Sequence, residues 1–136
     1  MKEGTFVRSQ FNQRDPIYLQ LIDYFREQLV SNQFKPGEEL PSRREIARQF
    51  NINPNTVQRA FSEMEEMSWI YTEPNRPSRV TQNIELIQKI KKDFVRRAVE
   101  TFVSSIQTID ISYDEVTELV EKELSKRNYP NGGIKK

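Results

Sequence analysis

Apolar residues three and four positions apart recur along most of this chain, and the stretches where they do so outline its helices. Ile17, Leu21, Tyr24 or Phe25, and Leu29 mark one face of a first helix. Asp15 and Pro16 are the N-cap and first-turn proline that open it, and it runs to about Asn32. Ile46, Ala47 and Phe50 mark a second, shorter helix, and Val57, Ala60, Phe61, Met64 and Met67 the buried stripe of a third. After Met67 the pattern becomes extended. Trp69, Ile70, Tyr71 and Thr72 lead to Pro74-Asn75-Arg76-Pro77, and residues 78–81 return, which predicts a short hairpin. Glu39 and Leu40 are placed to add a short strand beside it. From Asn83 to about Ile109 a long helix carries Ile84, Ile87, Ile90, Phe94, Ala98, Phe102 and Ile109 in one stripe, widened by Val95, Val99, Val103 and Ile106. Ser112 and Glu115 form a capping box for a last helix with Val116, Leu119, Val120 and Leu124 inward. The chain is thus mainly α with a small β-hairpin.

The junction between the second and third helices is encoded residue by residue. The Ser42 hydroxyl can accept from the free N–H groups of the first turn, and Glu45 three residues later completes a capping box. Asn51 tolerates the positive φ that a helix end requires, and Ile52 supplies an apolar plug beneath the turn. Asn53-Pro54 restarts the chain as an N-cap followed by a proline at the first helical position. With the apolar stripe inward, Asn55, Thr56, Gln58 and Arg59 lie outside at the start of the third helix, and Arg43, Arg44 and Arg48 outside the second. Asn and Gln pair with adenine edges, Arg with guanine, and Thr with phosphate or a thymine methyl. A helix that presents these types at its N-terminus suits the major groove of DNA.

Composition narrows the field. Lys and Arg number 21 against 20 Asp and Glu, so net charge carries no message about a polyanionic partner. Distribution does: from Ser42 to Arg59 there are four Arg and one Glu, a net of +3, and Arg76 and Arg79 follow in the hairpin without an acid between residues 74 and 81. The acids Glu63, Glu65 and Glu66 sit at the far end of the third helix. Cysteine and histidine are absent, which removes disulfides, most zinc and copper sites and the usual general base. No glycine-rich phosphate loop and no nucleophile beside a base is present, so neither an enzyme nor a bound metal or cofactor is expected. No apolar run approaches the ~20 residues of a membrane span, and the first residues lack the core of a signal peptide, so a cytoplasmic protein is expected. Residues 1–14, with isolated Phe6, Val7 and Phe11, read as an ordered strap or a loose arm; residues 128–136, with Pro130, Gly132 and Gly133, read as a frayed tail.

Pro16-Ile17-Tyr18 with Gln20, Lys35-Pro36-Gly37, Leu40-Pro41-Ser42, Arg44, Ile46-Ala47, Asn55-Thr56-Val57, Ala60 and Trp69-Ile70, in that order, resemble the signature of the GntR family of bacterial transcription regulators. The resemblance implies a winged helix-turn-helix domain over residues 1–81 that binds operator DNA as a dimer. It also implies a two-helix dimerisation region over residues 82–136 of the short YtrA type, since 55 residues leave no room for the larger ligand-binding domains of other members. Two such helices cannot close a core alone, and pairing them with a second copy gives a four-helix arrangement. The DNA-binding residues expected are Ser42, Arg43, Arg44, Pro54, Asn55, Thr56, Gln58, Arg59, Asn75, Arg76 and Arg79. Arg44 falls on the family's Ser-x-Arg position, whereas Asn75 replaces the glycine usual in the wing. The function implied is that of a repressor on a pseudo-palindromic operator of double-stranded DNA, acting as a homodimer. A winged helix serving only protein partners is the alternative. A small-molecule effector is left open: Phe94, Phe102 and Tyr113 could line a cleft, but aromatic residues at helical spacing are read as core.

Overall fold

Asn12 organises the entry into the first helix. The computed structural model describes residues 11–127, so the expectations for Phe6, Val7 and the 128–136 tail lie outside the described residues. The Asn12 Oδ1 accepts from the backbone N–H of Arg14 and Asp15, and its Nδ2 donates to the Asp15 carboxylate at 3.0 Å. Asp15 is thereby drawn away from capping, contrary to the sequence expectation. Helix α1 is Ile17–Val30, with Pro16 at its N-cap position and no side-chain cap. The Gln20 amide closes the entry by donating to the carbonyls of Asn12 and Asp15. At the other end the helix stops short of Asn32, which takes a left-handed φ of 64° and turns the chain toward Phe34. Both Tyr24 and Phe25 are buried, where periodicity offered one or the other.

The remaining elements are α2 (Arg43–Phe50), α3 (Pro54–Glu66), β1 (Ile70–Tyr71), β2 (Arg79–Val80), α4 (Ile84–Ile106) and α5 (Tyr113–Lys126). The architecture is mostly helical with one antiparallel hairpin, in which Ile70 pairs with Val80 and Tyr71 with Arg79. Glu39 bridges Arg79 from the outer edge, flanked by bonds from Gly37 N–H to the Val80 carbonyl and Leu40 N–H to the Ser78 carbonyl, each 2.9 Å. Gly37 makes this edge possible with φ +78°, which a side chain rarely adopts.

Two compact units divide the chain between Arg97 and Ala98, within α4. The core of the first is formed by Leu21, Phe25, Ile46, Phe50, Val57, Phe61 and Met64, with Trp69, Ile70 and Val80 from the hairpin and Ile90 from α4. Phe25 meets Phe61 edge-on at 5.8 Å, and Tyr24 meets Phe50 edge-on at 5.3 Å. Burying each of these aromatic rings contributes roughly 1.5–3 kcal/mol. Phe11 stacks flat on Phe50 at 5.0 Å, so residues 11–14 form a strap over the end of α2. Met67 departs from the expected stripe. It caps α3 and is exposed, because Ser68 at φ 64° ends the helical period before Trp69 turns inward.

In the second unit, the end of α4 and all of α5 leave their apolar residues open within one chain. Val99, Phe102, Val103, Ile109, Leu119, Val120 and Leu124 are exposed, and no residue of α5 is buried. Ser112 caps α5 by accepting from Glu115 N–H at 3.1 Å. Among the described residues, no helix is long and apolar enough to cross a membrane.

Candidate nucleic-acid interface

The turn between α2 and α3 is held by its own side chains. Ser42 Oγ accepts from Glu45 N–H at 3.0 Å. The Glu45 carboxylate does not return to the Ser42 backbone as a full capping box would. It accepts from Arg48 Nη2 at 2.7 Å and Gln49 Nε2 at 2.9 Å. The hydrogen bond from Arg48 holds the Glu45 carboxyl below the usual carboxylate range, and the same bond raises the Arg48 guanidinium. Asn51 adopts φ 56° and ψ 53°, and the following Ile52 N–H reaches back to the Ala47 carbonyl at 3.0 Å. Ile52 packs against the core as the expected plug. Asn53 Oδ1 accepts from Asn55 N–H at 2.7 Å, and Pro54 opens α3.

Core packing sets the rotation of α3. Val57, Ala60, Phe61 and Met64 are each 0% exposed, so the helix cannot roll without opening the core. Asn55, Gln58 and Arg59 are consequently exposed and Thr56 half-buried. Gln58 Nε2 rests on Ser62 Oγ at 3.1 Å, one turn along. Asn55, Thr56 and Arg59 line a cleft of about 300 Å³ with Ile17, Tyr18 and Asn53.

The arginines are not equivalent, although the sequence grouped them. Arg44 is exposed on α2. Arg43, one residue earlier, is turned back onto its own domain, with its guanidinium carbon 4.7 Å from the Phe61 ring centre and Nη2 3.7 Å from Glu65. Its position on the same helix face as the core explains this, and it pairs one of the acids at the end of α3. Arg79 is likewise committed to the hairpin, donating to the Gly37 carbonyl at 2.9 Å and to Glu39 at 2.8 Å. Arg76 is exposed at the hairpin tip, next to Asn75, whose φ of 60° supplies the left-handed turn that glycine would otherwise provide. Asn is among the few residues that accept this conformation. Two residues with no role assigned from sequence also matter here: Gln20, which clamps Asn12, and Tyr18, which meets Arg59. Both fall in the Pro16-Ile17-Tyr18 and Gln20 pattern, which was the available signal.

The sequence pattern of the bacterial regulatory proteins of the gntR family matches residues 17–80. An HTH-type transcriptional regulator of Bacillus subtilis, YhcF, is 34% identical over 110 residues, spanning 81% of this chain and 91% of that one. The chain belongs to the GntR family. A GntR family transcriptional regulator from Listeria monocytogenes superimposes with a TM-score of 0.76 at 30% identity, covering 82% of this chain and 98% of that one. The HTH-type transcriptional repressor YtrA of Bacillus subtilis is 40% identical over 68 residues, half of this chain and 52% of YtrA. This GntR member is a DNA-binding transcription regulator, and family membership decides against the winged helix that serves only protein partners. The matched segment begins with α1 and ends with β2, so it contains every element that positions the α2–α3 turn.

Proposed function

We propose that the protein is a cytoplasmic repressor that binds a pseudo-palindromic operator as a homodimer, one α3 per half-site. Residues 1–81 form the DNA-binding domain and residues 82–136 the dimerisation region. The observation that carries this reading is the exposed polar start of α3, fixed in rotation by a fully buried opposite face and in direction by the Asn51 and Asn53 turn. Asn55, Thr56 and Gln58 read base edges, with Pro54 and the helix start at the groove. Arg44 and Ser42 meet the strand backbone, and Arg59 belongs to the same face. Asn75 and Arg76 bring the wing to the duplex, with Arg79 and Arg43 serving as braces for the hairpin and for α3. The apolar surface of Val99, Phe102, Val103, Leu119, Val120 and Leu124, too broad for one protomer to cover, supports pairing with the same surface of a second copy.

Selection of bound sequences from random duplex DNA tests binding, specificity and half-site symmetry together. On the selected duplex, Gln58→Ala should cost about 1–3 kcal/mol and relax preference at one base, whereas Arg44→Ala should weaken all sequences and flatten the salt slope by about one. If both variants bind as the wild type does, this face is not the one that meets DNA.

A further inference from the structure

Tyr18 and Arg59 are 41 positions apart, yet the Arg59 guanidinium carbon lies 3.7 Å from the Tyr18 ring centre and its Nη2 donates to Tyr18 Oη at 3.0 Å. Tyr18 is the second residue of α1 and Arg59 lies in the second turn of α3, so this contact ties the starts of the two helices together across the cleft they line. Its partner distinguishes Arg59 from its neighbours. Arg43, Arg48 and Arg79 each lie against a carboxylate, Glu65, Glu45 and Glu39 respectively, which offsets their charge. Arg59 is instead held by a neutral ring and a phenol oxygen. Cation–π contact of this kind fixes a guanidinium plane without cancelling its charge, and leaves its remaining N–H edges free to donate.

Resting on the DNA-binding reading above, we propose that Tyr18 is a positioning residue that holds Arg59 in place as a phosphate contact, so that Arg59 sets affinity for the duplex backbone rather than preference for a base. Two features carry this. The guanidinium is drawn toward α1, which lies outside the α2–α3 pair that addresses the groove, so Arg59 would have to leave Tyr18 to reach a base edge. A planar, fully charged fork held in one orientation also matches the bidentate geometry of a phosphodiester.

The test uses the full chain, the selected duplex and a scrambled duplex of equal length, with binding followed across a salt series. The variants are Arg59→Ala, Tyr18→Leu, Tyr18→Phe and the Tyr18→Leu/Arg59→Ala double, each with its thermal midpoint. Arg59→Ala should weaken both duplexes by the same factor, roughly five- to tenfold, and lower the salt slope by about one. Tyr18→Leu should weaken both by roughly threefold but add less than about twofold once Arg59 is gone, the signature of two groups acting as one. Tyr18→Phe keeps the ring beneath the guanidinium and should recover most of the affinity. The proposal is overturned if Tyr18→Leu has its full effect in the Arg59→Ala background, if it has no effect on either duplex, or if Arg59→Ala changes preference at one base while sparing the scrambled duplex. Failure of the wild type to bind any duplex at low salt is a different result, and overturns the DNA-binding reading together with this one.

Discussion

Asn51 is where a single backbone torsion sets the turn between α2 and α3, and substitutions there separate stability from DNA binding. Its φ of 56° and ψ of 53° place it in the left-handed region, and its side chain is exposed. The energy at stake is therefore one of backbone conformation rather than packing. An ordinary L residue in that region costs roughly 1–2 kcal/mol, with glycine free of the penalty and Asn partly so. Asn51→Gly should leave stability within about 0.5 kcal/mol of the wild type, because relief of residual strain is offset by the greater freedom of the unfolded chain. Asn51→Ala should lose about 1 kcal/mol and Asn51→Val about 2 kcal/mol, since a β-branched residue fits this region worst. With a urea m-value of about 1–3 kcal/mol/M, Ala lowers the unfolding midpoint by roughly 0.3–1 M. Protomer concentration must be held fixed, because the proposed pairing of protomers would add stability by mass action. A native state stable by about 5–15 kcal/mol stays almost wholly folded after such a loss, so operator affinity at 25 °C should change by less than about twofold for Gly and Ala. If Ala proves as stable as Gly, the left-handed torsion is not what holds the turn. If affinity falls by far more than stability can explain, the substituted turn has re-aimed α3.

Two further outcomes follow from other parts of the molecule. Phe102→Glu places a charge in the apolar face of the second unit and should yield monomers by sedimentation, with loss of tight operator binding but an unchanged far-UV spectrum; a dimer that survives it places the subunit contact elsewhere. Arg48 holds the Glu45 carboxyl below its usual range, so the stability this provides is present above the unfolded carboxylate pKa of about 4.3 and is lost as pH falls through the lower folded value. Wild type and Glu45→Gln should therefore differ in Tm near neutrality and converge as pH falls through that lowered value, and a gap that widens on acidification contradicts the assignment.

What was legible in the sequence was what a few neighbouring residues decide. The Ser42 cap, the Asn51 turn and the Asn53-Pro54 restart each involve partners within five positions, and the structure forms all three. The inward stripe of α3 was legible because helical period alone assigns it. Local competition defeated the same reasoning elsewhere. Asp15 is a good N-cap by type, but Asn12 claims its carboxylate first, and Met67 continues the period of α3 only on paper because Ser68 breaks it. Partners distant in sequence were beyond reach. Nothing near Arg43 announces Phe61 and Glu65, and nothing near Arg59 announces Tyr18, because those meetings depend on how α1, α2 and α3 cross.

These long-range meetings also explain how a chain of net charge +1 addresses a polyanion. Residues 1–81 hold eleven Lys and Arg against eleven Asp and Glu, so if all were equally available the balance there would be zero. The fold instead pairs the carboxylates selectively. Glu65, Glu45 and Glu39 engage Arg43, Arg48 and Arg79, while among the described residues no ion pair involves Arg44, Arg59 or Arg76. One of these three lies on α2, one on α3 and one at the hairpin tip, the elements through which a winged helix meets DNA. Phosphate neutralisation, and with it the salt dependence of binding, is therefore set by which arginines the carboxylates leave uncompensated rather than by the total charge.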